Sequence, residues 1–160
     1  MPLVIRVNTA AKGLEDVFTA KGKLTRKFAR CAKEAYAEMG GLWHDKILPL
    51  HFERGAKHRY GYAPRSAKYR TRKKNAGKGD TDLVFTGDMR KQMQQFATIR
   101  AFPTRATVNV QAPFYMTLKP NTFAGSTQPD KFKELSGLTN ADYNQLQTRL
   151  QTVIERAMKR

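Results

Sequence analysis

The sequence is poor in cysteine and in negative charge: 160 residues contain one cysteine, Cys31, and 13 acidic side chains against 30 lysines and arginines. A lone cysteine excludes an internal disulfide and leaves no CxxC pair for zinc. Its expected place is a small buried position in a protein of a reducing compartment. No run of 18 apolar residues occurs, so no segment qualifies as a membrane-spanning helix. The opening MPLVIRVNTA lacks the basic and apolar regions of a signal peptide, which sets the expectation of a protein made and kept in a cytoplasm, with no membrane partner.

Arrangements that carry catalysis are missing as well. His44, His51 and His58 fall seven apart, but Pro49 and Gly55 interrupt any helix that would align them, and no Cys or carboxylate pair stands at zinc-site spacing around them. No metal is therefore expected, and the three read as surface or packing histidines. GKGDT, residues 77–81, looks like a phosphate loop only superficially: Gly79 follows the lysine where Ser or Thr is needed, and the earlier glycine is missing. Asp80, Asp82 and Asp88 are close enough in sequence to raise a metal-dependent nuclease, with His58 as a further candidate. Asp88 suits a helix N-terminus, however, and the other two lie in the turn. The expectation is no enzyme and no cofactor.

What the chain does have is positive charge in one place. The formal net charge is +17 and the pI about 10.3. Between Arg54 and Lys78 stand ten cations, Arg54, Lys57, Arg59, Arg65, Lys68, Arg70, Arg72, Lys73, Lys74 and Lys78, and no Asp or Glu, so the rest of the chain carries only +7. An acidic partner is the leading inference. Glycines and Pro64 punctuate this stretch, which reads as an extended basic loop over about 53–82, with at most a short helical turn after Pro64. Tyr60, Tyr62 and Tyr69 interleave with the cations and offer stacking surfaces for bases. No recognition module accompanies them, so nucleic-acid contact would be backbone-directed and non-specific. An acidic protein neighbour fits the same charges, and charge alone leaves both open.

Length and 40% apolar composition suit one domain over residues 1–160. Alternation over residues 3–9 predicts a first strand. Leu24, Phe28, Cys31, Ala35, Met39 and Leu42 recur at steps of three and four, predicting a long amphipathic helix that ends before Pro49. Gly40 and Gly41 are expected to kink or break it, with Trp43 and Ile47 continuing the buried face. LVFTGDMRKQMQQF predicts a short helix through Met89 and Met93, capped by Thr86 or Asp88. FATIRAF and RATVNVQA, separated by Pro103 and Thr104, predict an antiparallel hairpin, and FYMTL at 114–118 a further strand. Residues 119–138 read as a turn-rich loop. Thr139 and Asp142 then open a last helix whose apolar face is Tyr143, Leu146, Leu150, Val153, Ile154 and Ala157. The fold class is α+β: a small antiparallel sheet with the long helix and the C-terminal helix packed on it.

The order of features around the basic stretch is more specific than its charge. YGYAPRSAKYRTRKK, a glycine-containing linker and LVFTGDMRKQM resemble the neck or tail-completion proteins of tailed bacteriophages, small morphogenesis proteins that join head to tail. In that family an aromatic-x-Pro-(Leu/Arg)-Ser element precedes a Lys-rich segment and a Leu-x-x-Thr-Gly-x-Leu turn into a helix. Tyr62, Pro64, Arg65 and Ser66 match the first, Lys73 and Lys74 the second, and Leu83, Thr86, Gly87 and Met89 the third, with Met89 where leucine is commoner. The match covers about residues 40–95. The resemblance implies a non-enzymatic structural protein of the virion, a homo-oligomeric ring beside the portal, adaptor or tail proteins and around the channel that carries genomic DNA. Most of the basic stretch is then expected to meet protein, since gripping DNA through many phosphates would hinder ejection. Strand edges such as that of RATVNVQA are expected to pair between subunits of the ring.

Overall fold

The computed structural model of the chain describes residues 2–7, 26–78, 81, 83–84, 87–95, 97–113 and 129–160. In chain order they form β1 (Pro2–Val7), α1 (Arg26–Leu42), a π-helical turn (Trp43–Ile47), α2 (Leu48–Leu50), α3 (Ala56–Tyr60), α4 (Ala67–Asn75), α5 (Asp88–Gln95), β2 (Ala97–Phe102), β3 (Arg105–Gln111), α6 (Lys131–Leu135) and α7 (Asn140–Met158). The fold is α+β.

Alternation in the two segments flanking Pro103 and Thr104 makes the expected hairpin, with Phe102 opposite Arg105 and Ile99 opposite Val108. Ala106, Val108 and Val110 are buried on one face of β3, while Thr98, Arg100 and Phe102 of β2 face solvent. β1 pairs antiparallel with the other side of β3, Ile5 opposite Val108, giving the order β1-β3-β2. The RATVNVQA strand is thus the centre of the sheet and has no free edge. Among the described residues the edges are β1 and β2, because β1 takes the side of β3 that the hairpin leaves open.

α1 lies across the hairpin and, on another side, along α7. The C-terminal helix therefore packs mainly on the long helix rather than on the sheet. Being covered from two directions explains why the buried face of α1 is wider than one stripe: Ala32, Tyr36 and Gly40 are buried as well as Cys31, Ala35 and Met39. Glu38 accepts from Arg149 at 2.6 Å and Arg156 at 2.5 Å, tying the two helices across their rim.

The helix does not break at its glycines. A Cβ on Gly40 would stand 3.0 Å from Ile99 Cγ2 and 3.3 Å from Val108 Cγ2, so the missing side chain is what lets α1 approach the sheet. Irregularity comes after Leu42, where the helix widens to a π turn and the Leu48 N–H bonds to the Trp43 carbonyl. This turn immediately precedes Pro49, whose ring in a regular α-helix would meet the carbonyl four residues back. Trp43 and Ile47 continue the core as expected and Leu48 joins them, each 1% exposed or less.

α5 carries Met89 and Met93 inward. Its first turn closes on Gly87, whose carbonyl accepts from Lys91 N–H, and Asp88 is already the first helical residue rather than the cap. Thr86, the 114–118 segment, and residues 8–25 lie outside the described residues. So do residues 119–128 of the expected turn-rich loop, but its second half is a short helix, α6, capped by the Asp130 carboxylate on Lys133 N–H. α7 opens with the expected capping box: Thr139 Oγ1 accepts from Asp142 N–H, and Asp142 accepts from Thr139 N–H.

Candidate functional site

Residues 53–78 are not an extended loop. Gly61 sits at φ 63°, and the Tyr62 N–H returns to the Lys57 carbonyl, so the chain reverses after α3 and brings Tyr60 and Tyr62 back over His51. The His51 and Tyr60 rings stack at 3.8 Å between centroids, nearly parallel, and Tyr62 lies 6.1 Å from His51 with its hydroxyl and His51 Nδ1 sharing a hydrogen bond. His51 is fully buried, and burial pushes its pKa down to about 4, against the nearby Asp142 carboxylate. It is a neutral packing residue. Among the described residues His51 Nε2 and the Tyr60 hydroxyl make no hydrogen bond of full geometry; His51 lies near the Gly137 backbone and the Tyr60 hydroxyl beside Arg59 and Asp142, and burial followed by the Asp142 charge raises the Tyr60 pKa to about 12.

Arg65, Arg59 and Lys73 are among the cations held by the chain itself. Arg65, 8% exposed, makes two parallel hydrogen bonds to Glu134 at 2.8 and 2.7 Å, joining the start of α4 to α6. Lys131 lies near this pair, and its pKa is lowered by burial and by the Arg65 charge. Arg59 donates to Asp142 at 2.7 Å. Burial opposes ionisation of that carboxyl, but the Thr139 hydroxyl and N–H and the Arg59 guanidinium outweigh it and hold Asp142 below its ordinary pKa. The same contact raises Arg59. Lys73 is buried, and its ammonium donates to the Thr81 carbonyl. As partner contacts, Arg65 and Lys73 are corrected to internal anchors, because Arg65 has a buried carboxylate and Lys73 a half-buried carbonyl as acceptor in its own chain.

The tyrosines are turned inward too. Tyr62 is buried, Tyr60 is half-buried against His51, and Tyr69 is half-buried on the inner side of α4. Tyr60 and Tyr62 are therefore not a surface on which bases stack. Arg54, Lys68, Arg70, Arg72, Lys74 and Lys78 are exposed, and Lys57 is half-exposed. Four of these stand on α4, which Ser66 caps by accepting from Tyr69 N–H and which has no apolar face.

The motif residues are scaffold. Tyr62, Leu83 and Met89 are buried, Ser66 caps α4, Pro64 stiffens the exposed approach to it, and Gly87 turns into α5 at φ 91°. Among the histidines, His44 bonds Asp45 at 2.7 Å and the Met93 carbonyl at 3.1 Å, while His58 is exposed. No three His, Cys, Asp or Glu side chains converge among the described residues. Asp80 and Asp82 lie outside them, and Asp88 is a first-turn residue of α5. An open groove of about 800 Å³ runs between α1 and α7, but its charged rim is already paired through Glu38 and Arg149.

Sequence reading missed the two acids that organise this region. Glu134 sits in a stretch read as loop, and Asp142 has a second role beyond its cap. Their signal was scarcity: with 13 acids for 30 bases, each well-placed carboxylate near a helix end is a candidate anchor for the basic segment. Compared with known protein families, with characterised proteins and with solved structures, the chain matches none.

Proposed function

We propose that this chain is a structural virion protein of a tailed phage, assembling as a ring at the neck or head-proximal end of the tail and joining head to tail around the DNA channel. The observation that carries the proposal is the ordered motif set at residues 62–66, 73–74 and 83–89, most of whose members are buried or capping residues of one folded unit. That is how a shared sequence pattern reads when it maintains a shape. The sheet adds support, since β1 and β2 are its outer strands among the described residues and closure of a ring would pair such edges between subunits. The adjacent portal, adaptor or tail proteins are its partners, and it performs no catalysis.

A second reading, a non-specific nucleic-acid-binding accessory protein, is favoured by one observation: the exposed cations concentrate on α4. The two separate in particles assembled without this chain. Filled heads apart from finished or overlong tails support the joining role. Normally joined particles would overturn it and leave the second reading.

A further inference from the structure

Thr98, Arg100 and Phe102 of β2 lie on the face of the sheet turned away from α1 and are exposed, whereas Ala106, Val108 and Val110 of β3 face α1 and are buried. Polar residues on that outer line give way to an aromatic ring at the end of the hairpin. Phe102 keeps 42% of its surface in solvent, stands opposite Arg105 in the last strand pair, and has that guanidinium over its ring at 4.9 Å. Beyond the pair come Pro103 and Thr104 alone, so ring and guanidinium occupy the tip of the hairpin. Arg105 is exposed and makes no ion pair among the described residues.

The groove of about 800 Å³ between α1 and α7 lies on the other side of α1. Gly41 and Leu42, both half-buried, line it together with the short side chains of Thr148 and Thr152, which is why it stays open. Its charged lining is formally neutral, Glu38 and Asp45 against Lys46 and Arg149, on a chain of net charge +17. Glu38 and Arg149 are paired with each other. Asp45 has a side chain 69% exposed, with one carboxylate oxygen bonded to His44 and the other left for an incoming cation. A neutral groove with an apolar wall and a carboxylate on its rim is complementary to a tip that carries an aromatic ring and an arginine.

We propose that the hairpin tip of one chain enters the α1–α7 groove of a second copy, with Phe102 against Gly41 and Leu42 and Arg105 on the Asp45 carboxylate. Tip and groove lie on opposite sides of α1, so a chain does not fill its own groove. Aromatic and arginine side chains are the types that carry most interface energy, and the tip supplies one of each. The contact is heterologous: each subunit gives a tip and receives one, and the series ends only when it closes on itself. It is made by side chains and needs no pairing of strand edges. The proposal deepens the ring reading, on which closure rests, by assigning the contact between subunits.

The test is sedimentation velocity of the full chain over a range of concentrations, at about 0.15 M salt. F102A removes the ring from the tip, and T148W fills the groove from an exposed position. Wild type is expected to associate beyond a dimer, and each variant alone to self-associate at least about 30-fold more weakly, the effect of truncating an interface hot spot. An equimolar mixture of the two should give a dimer and nothing larger, because F102A keeps an open groove and T148W an intact tip. R105D and D45R should each weaken association, and R105D/D45R, which restores both the pair and the net charge, should recover it. A wild-type chain that stays monomeric, F102A associating as wild type does, a mixture that stays as monomers, or a double variant no better than R105D would each overturn the proposal. If wild type stays monomeric and F102A still fails to join heads to tails, the tip meets an adjacent virion protein instead and the joining role stands.

Discussion

Replacing Gly40 and Gly41 separately by alanine isolates the close approach of α1 to the hairpin. Both positions are helical, so each substitution gains about 1 kcal/mol of intrinsic helix stability. At Gly41 the new methyl has Ile99 Cδ1 as its neighbour, at 3.9 Å, an ordinary contact, and the gain survives. At Gly40 it stands 3.0 Å from Ile99 Cγ2 and 3.3 Å from Val108 Cγ2. Both are branch methyls at Cβ, stiff at χ1 and fixed by paired strands, so they cannot swing aside as a long side chain would. Overpacking of this kind costs about 1–3 kcal/mol, which cancels or reverses the gain. Urea denaturation should place G41A about 1 kcal/mol above wild type and G40A about 1–3 kcal/mol below G41A. For a domain of this size that separation corresponds to roughly 2–4 °C in melting temperature per kcal/mol. A G40A protein as stable as G41A would refute the packing of α1 on β2 and β3.

Two further results follow from the buried polar groups. His51 has a pKa of about 4 in the folded chain against about 6.5 unfolded, so the unfolded state binds more protons between those values and stability is lost as pH falls from about 6.5 to about 4. The loss is about 3 kcal/mol at about 1.4 kcal/mol per unit of pKa. An NMR titration should find the ring neutral at pH 5, and a midpoint near 6.5 would contradict its burial. Substituting Glu134→Gln leaves the Arg65 guanidinium buried without its counter-charge and should destabilise by about 3–5 kcal/mol, while R65M/E134M recovers most of that loss. A single variant within about 0.5 kcal/mol of wild type in chemical denaturation would show that α4 is not anchored to α6 through this pair.

The hairpin and the last helix were legible because their patterns are strong and local: strict alternation around a two-residue turn, and a capping box ahead of an apolar face. The buried run through Met39, Trp43 and Ile47 was legible for the same reason. Glycines 40 and 41 misled because helix propensity counts a missing side chain as a penalty, whereas here tertiary packing needs the space. The basic stretch misled more seriously. Its glycines do turn the chain, but they do so around two short helices, and what holds those helices lies 69 to 83 residues away in Glu134 and Asp142. No local pattern carries such a pairing. The concentration of charge was visible in the sequence; the division between internal anchors and exposed flanks required the fold.

The most direct test of the joining role is electron microscopy of particles made from a genome lacking this gene, with wild type supplied in trans. The expected result is filled heads separate from finished or overlong tails, cured by wild type. Normally joined, infectious particles in the absence of the chain would contradict the account at its centre.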